Sequence, residues 1–334
     1  MRALLSVANS DGIADLARDL AAMGHELHAD SDALAALAEA GVSAQPADKT
    51  GSSAQDFDIV VANVQPFAPQ VGERVVPLDE AIAMIDVART TLMTAAARNF
   101  ASVAIVSGAR HYPQLLEELH TLGGVSAEFR QHLAADALAD VSAYFAEVAG
   151  YLNHLGGNRF PNRLAVVVEK VRDLSYGENP QQQAAFYRES MHRSGALADA
   201  KQLQGDQPTF NDLIDLDAAY RIASDFTAPT CCIVKQNNPT GLASDELLVH
   251  AYERALEGDP VSAYGAVVAL NREVDGITAE ALAGNAYEAI VAPAFTAPAR
   301  EILAEKQRLA LLAVPHRFTE GLSDYGIARL DFAR

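Results

Sequence analysis

Lys235 stands directly after the apolar run Cys231-Cys232-Ile233-Val234 and is one of only five lysines in the chain. The carboxyl end of a strand is where open α/β folds receive ligands. An ammonium there can hold a phosphate or stabilise an oxyanion. The amides Gln236, Asn237 and Asn238 follow and can direct donors at a ligand, with Pro239 and Gly241 expected to fix the turn. The same lysine is also compatible with a stem lying along the strand and a charge left in water. A second candidate is the polar stretch 176–183, Tyr-Gly-Glu-Asn-Pro-Gln-Gln-Gln, which suits a binding loop or an ordinary surface loop. A third is Ser262-Ala263-Tyr264-Gly265, a small-residue turn before a buried strand. Such a turn lets a backbone approach a ligand closely, or merely reverses the chain.

Other chemistries lack support. The nine histidines show neither H-E-x-x-H nor C-x-x-C spacing, so no metal site is expected. There is no G-x-G-x-x-G after a strand, no G-x-x-x-x-G-K-S/T and no G-x-S-x-G. The net charge of −19 and pI near 4.8 disfavour nucleic acid. They leave room for a small anion in a local positive pocket. The adjacent Cys231 and Cys232 offer no disulfide framework and read as small buried hydrophobes. The amino-terminal apolar stretch is too short for a signal peptide, and no run reaches the length of a membrane span. A cytoplasmic protein is expected.

The elements that must position these residues alternate. Apolar runs at 3–7, 25–28, 58–63 and 102–106 read as strands, and 13–23, 32–40, 78–85, 90–99, 112–122 and 127–152 carry helical spacing. Alternation of this kind predicts a parallel sheet with helices on both faces. Gly156-Gly157-Asn158-Arg159-Phe160-Pro161 reads as a linker. Beyond it, strands are expected at 164–168, 231–234, 266–270 and 290–293, with a helix at 245–257. The length of 334 residues, half of them apolar, predicts two domains, 1–158 and 159–334.

Taken together, the loops resemble the bifunctional AICAR transformylase/IMP cyclohydrolase family. Its pattern R-Y-G-x-N-P-H-Q is matched by Ser175-Tyr176-Gly177-Glu178-Asn179-Pro180-Gln181-Gln182. Q-L-x-G-x-x-x-S/T-F/Y-N-N-L is matched by Gln202-Leu203-Gln204-Gly205 through Thr209-Phe210-Asn211-Asp212-Leu213, and V-K-H-x-N-P-C-G by residues 234–241. D-P-x-S-A-F-G-G is matched by residues 259–266 and I-A-P by Val291-Ala292-Pro293. In the first half, N-x-Y-P-F is matched by residues 63–67, E-x-I-D-I-G-G by 83–89 and R-A-A-A-K-N by 94–99.

The resemblance implies a first domain of methylglyoxal-synthase-like α/β fold with a doubly wound parallel sheet, the cyclohydrolase half. It implies an α/β transformylase-type second domain, cytidine-deaminase-like and incomplete relative to the family, whose proteins continue beyond the point matching Arg334. It implies formyl transfer from the co-substrate 10-formyltetrahydrofolate to AICAR and ring closure to IMP, without a metal. The partners it implies are small nucleotides (AICAR, formyl-AICAR or IMP) and a homodimer or a pair with a related chain. Lys235, Gln236, Asp86 and Arg98 then take the catalytic positions. Ser175, Tyr176, Gly177, Asn179, Gln181, Asn211, Asn238, Gly265 and Glu288 take the substrate-binding ones.

The departures from the family bear on chemistry. S-D-K-T-G becomes Ala8-Asn9-Ser10-Asp11-Gly12, without its lysine, and S-T-G-G-T becomes Ala29-Asp30-Ser31-Asp32. The segment R-V-K-T-L-H-P, due between Thr50 and Asp58, has no counterpart. A nucleotide phosphate would meet carboxylates in place of lysine and backbone donors. Gln65 replaces a tyrosine, Arg98 a lysine, and Ala88-Arg89 a glycine pair, which should block close backbone approach. Gln236 replaces the histidine beside the lysine, and an amide cannot act as a general base. Two readings stay open: an impaired enzyme of purine biosynthesis, or a non-catalytic paralogue serving as a nucleotide-binding or assembly module.

Overall fold

The computed structural model describes residues 1–47, 54–67, 76–158, 160–189 and 197–314. The expected linker residue Arg159, the positions from Thr50 to 53 and the point matching Arg334 lie outside the described residues. The chain forms two compact units, Met1–Val167 and Val168–Arg334.

Among the described residues, unit 1 is built on five strands: β1 (Arg2–Val7), β2 (Glu26–Ala29), β3 (Gln45–Pro46), β4 (Ile59–Asn63) and β5 (Ala104–Val106). They lie in the order β3-β2-β1-β4-β5, and every pairing is parallel. β1 and β4 are nearly continuous apolar runs because both of their faces are covered. Ala3, Leu5 and Val7 meet the helices Ile13–Ala22 and Tyr112–Leu122 on one face. Leu4, Val60 and Ile105 meet the helices Val87–Arg98 and Ala127–Leu155 on the other. This is the parallel, doubly covered sheet that alternation predicts. The strand order reverses between β1 and β4, so a crevice opens at their carboxyl ends.

Unit 2 holds a two-stranded antiparallel sheet, β6 (Val168–Leu174) with β7 (Ala184–Glu189), and a mixed six-stranded one. The latter comprises β8 (Lys201–Gln204), β9 (Thr230–Lys235), β10 (Asn238–Ser244), β11 (Ala266–Leu270), β12 (Tyr287–Ala292) and β13 (Ala310–Ala313). Its order is β10-β9-β11-β12-β13-β8, parallel from β11 to β13 and antiparallel at both edges. Strand alternation sends Cys231 to the face covered by the helix Leu248–Gly258. It sends Cys232 to the face covered by the helix Phe210–Ser224.

Two expectations fail. Residues 164–167 are not a buried strand: they lie mostly exposed, and the strand starts at Val168, where β7 supplies its partner. An apolar run becomes a strand only where another strand can pair with it. Pro239 and Gly241 do not form a turn. They lie within β10, and the reversal is made by Gln236 and Asn237. Gly241 is required because a Cβ there would stand 1.9 Å from the carbonyl oxygen of Ala255 in the covering helix.

Among the described residues no helix is long and apolar enough to cross a membrane. Burial raises the thiol of Cys231 well above its usual range and pushes that of Cys232 up to about 12. Raised values keep both groups as unreactive thiols at neutral pH. Ellman's reagent at pH 8 is expected to modify neither cysteine in the native protein and both after denaturation.

Candidate functional site

The helix Phe210–Ser224 organises the first cluster. Thr209 caps it in a reciprocal box with Asp212. Asn211 and Asp215, four residues apart, share one face. The Asn211 amide approaches the carbonyl of Glu178 at 3.5 Å, in the loop between β6 and β7. Asp215 accepts the backbone N–H groups of Gln236 (2.9 Å) and Asn237 (2.6 Å). Those two residues have φ of 53° and 59°, left-handed values that non-glycine residues adopt at a cost. The carboxylate of Asp215 thus holds the hairpin turn between β9 and β10. Asn238 donates its amide to the carbonyl of Gln236 (2.7 Å), so it serves the turn.

Lys235 closes β9, and its ammonium donates to the carbonyl of Tyr264. Gly265 follows with φ of 65°. A Cβ on it would lie 3.8 Å from Lys235 Nζ and 3.7 Å from Glu288 Oε1. Lys235, Gly265 and Glu288 therefore converge, and the missing side chain at 265 leaves the lysine approachable. The loop carrying Ser175, Tyr176, Gly177, Asn179 and Gln181 is self-braced. Gly177 N–H donates to the Gln182 carbonyl (2.9 Å), and Asn179 N–H to the Gln182 side chain (3.0 Å). A Cβ at 177 would stand 2.9 Å from Gln182 Cβ. Sequence reasoning missed Asp215, because a carboxylate in mid-helix looks like any solvated position.

The carboxyl edge of unit 1 is closed from within. The Arg89 side chain is 7% exposed and reaches three carboxylates. Nη2 lies 2.9 Å from Asp30 and 2.5 Å from Asp32, and Nη1 lies 2.9 Å from Asp86. Nη2 also donates to the carbonyl of Val7 at the end of β1 (3.3 Å). Burial opposes the charge on Arg89, but the hydrogen bonds to Asp32 and Asp86 and the field of Asp30 outweigh it. Arg89 stays protonated. Asp30, buried, also accepts the Ser6 hydroxyl (2.8 Å) and caps the helix Ser31–Glu39 through the N–H groups of Asp32 and Ala33. Asn63, at the end of β4, accepts from the N–H groups of Ala8 (2.8 Å) and Asn9 (2.9 Å). Asn63 and Asp30 thus take up the N–H groups of Ala8, Asn9, Asp32 and Ala33, which could otherwise serve an anion. Sequence comparison marks Asp30, Asp32 and Arg89 as separate departures, and only the fold pairs them.

Asp86 is the cap of the helix Val87–Arg98, and Arg98 is exposed in its last turn. Twelve residues at 1.5 Å each separate the two by about 18 Å. Among the described residues, one group has metal-ligand composition: His111, His132 and Asp136, near the carboxyl end of β5.

The family model for the AICARFT/IMPCHase bienzyme matches residues 96–325. "Bifunctional purine biosynthesis protein PurH" of Desulfitobacterium hafniense is 36% identical, over 94% of this chain and 68% of the relative. The protein of the same name from Listeria monocytogenes is 35% identical, over 94% of this chain and 69% of the relative. That of Acidithiobacillus ferrooxidans is 36% identical, over 93% and 67%.

Removing Arg89 strands a buried Asp30. Arg89→Met is expected to destabilise unit 1 by about 3–5 kcal/mol in urea unfolding. The double variant Arg89→Met/Asp30→Asn should recover a large part, because asparagine keeps the helix cap without the charge.

Proposed function

The chain belongs to the AICARFT/IMPCHase family, and from that premise we propose that it acts in purine biosynthesis at the formyl-transfer step, through the Lys235 cluster of unit 2. In this reading residues 159–334 form the transformylase-type domain and residues 1–158 a cyclohydrolase-like domain of methylglyoxal-synthase type. The amine of AICAR attacks the formyl carbon of 10-formyltetrahydrofolate, an oxyanion develops, and the amine loses a proton. The observation that carries the reading is the convergence of Lys235, Gly265 and Glu288. A positive charge held beside a position without a side chain can stabilise that oxyanion at short range. Ser175, Tyr176, Gly177, Asn179 and Gln181 on the braced loop, with Asn211 and Asn238, line the nucleotide side.

Proton removal is the weak step. Gln236 occupies the position of the family's histidine and cannot take a proton. Loss of a general base costs about 10²–10⁴-fold in rate. Ring closure to IMP is assigned no working site. In this reading Arg89 and its three carboxylates occupy the place where the nucleotide phosphate would bind. The same two features favour a second reading, a nucleotide-binding or assembly module that holds AICAR without turning it over. The family reading also carries a cytoplasmic location and a homodimer or a pair with a related chain.

The test is formyl transfer by the purified chain, followed spectrophotometrically with AICAR and 10-formyltetrahydrofolate. Slow turnover is expected, abolished in Lys235→Met and raised about 10²-fold or more in Gln236→His. Formyl-AICAR should not be converted to IMP. AICAR binding by calorimetry with no turnover in either wild type or Gln236→His would establish the second reading. IMP formation at the rate of an intact relative would refute the assignment for unit 1.

A further inference from the structure

We propose that His111, His132 and Asp136 form a binding site in unit 1 for a divalent transition-metal ion, with zinc the best fit. His111 ends a short 3₁₀ turn, Ala109–His111, just beyond β5, and its ring is buried against Phe129. His132 and Asp136 lie four residues apart on the helix Ala127–Leu155 and so share one face. His111 Nε2 stands 2.8 Å from Asp136 Oδ2 and His132 Nε2 stands 3.8 Å from it. All three ligand atoms fall within 4.8 Å of one another. A tetrahedral zinc with donors at about 2.0–2.2 Å sets its ligand atoms about 3.3–3.5 Å apart, between those two separations. Two imidazoles and one carboxylate are a donor set that zinc accepts, with room for a further ligand. His132 is exposed and can adjust by side-chain rotation alone.

A second observation is independent of spacing. The Nε2 atom of His111 receives the Nε–H of Arg110 at 3.0 Å and faces the Asp136 carboxylate at 2.8 Å. A ring nitrogen carries either a proton or a lone pair. With a proton it satisfies Asp136 and opposes the Arg110 N–H. With a lone pair it satisfies Arg110 and opposes the carboxylate oxygen. One contact is unfavourable in either tautomer. A metal ion between His111, His132 and Asp136 removes the conflict by accepting a lone pair from each. Arg110 holds the position of that cation: it lies 3.2 Å from Asp136 and 3.9 Å from Asp140, and its side chain is 56% exposed, free to swing outward. Asp140, one helical turn beyond Asp136, accepts the Ser107 hydroxyl at 2.5 Å and adds negative charge beside the site. The sequence conceals the group because His111 comes from a different element, 21 positions before His132.

The test uses the full chain, freed of metal by a chelator and titrated with zinc alone by calorimetry at pH 7.5. One zinc per chain and a zinc-dependent rise in Tm are expected. His132→Ala, at an exposed position that leaves the fold intact, should weaken binding about tenfold or more and remove the rise in Tm. Arg110→Ala should bind at least as tightly as wild type, because a competing cation is gone. No binding of micromolar zinc by the wild type, equal affinity in His132→Ala, or weaker binding in Arg110→Ala would each overturn the proposal. Any of these would leave the cluster as an ion pair centred on Arg110.

Discussion

A parallel sheet leaves the carboxyl ends of its strands open, and the groups there must be satisfied by a ligand, by water or by the chain itself. Unit 1 uses the chain itself. The guanidinium of Arg89 ties the ends of β1 and β2 to the start of the helix Val87–Arg98, through Val7, Asp30 and Asp86. Around that tie, Asp30 caps the helix after β2, and Asn63 braces the loop after β1. A buried arginine among carboxylates is costly to desolvate, yet costlier to break, since either partner alone is a stranded charge. One guanidinium against three carboxylates also leaves the crevice negative, which repels a phosphate. The structure of this edge and its negative charge follow from the same contact.

Unit 2 solves the opposite problem, keeping a cation approachable. The mixed sheet ends β9 at Lys235, and the left-handed turn after it would cost free energy in isolation. Asp215 offsets that cost with two backbone hydrogen bonds. Its helix also touches the loop from β6 to β7 through Asn211. One helix thereby relates two of the motifs that the family shares, although 33 residues separate Glu178 from Asn211 in the chain. Gly265 completes the arrangement by withholding a side chain from the space between Lys235 and Glu288.

The two units therefore stand differently toward a nucleotide. In unit 1 the guanidinium of Arg89 is paired with Asp30, Asp32 and Asp86, so a ligand would have to displace internal ion pairs. In unit 2 the ammonium of Lys235 makes one named hydrogen bond and keeps further donors for a ligand. The cysteines beside it do not compete as nucleophiles, because each is buried on its own face of the sheet.

The sequence alone determined what local patterns encode. The alternation of apolar runs and helical spacing specified the parallel sheet of unit 1, because strands covered on both faces must be apolar throughout. The motif loops marked Lys235, the 175–183 loop and Gly265. The burial of Cys231 and Cys232 was legible from the run around them. Tertiary structure decided what depends on partners distant in the chain. The run 164–167 found no strand to pair with and stayed exposed. Pro239 and Gly241 became part of an edge strand because β9 and a helix lay beside them. Asp215 acquired its role only by facing a turn 21 residues away. Arg89 looked like an obstacle to backbone approach, and the fold made it the ion-pair partner of Asp30, 59 positions earlier. Charge pairing over such separations has no periodicity, so no local pattern can announce it.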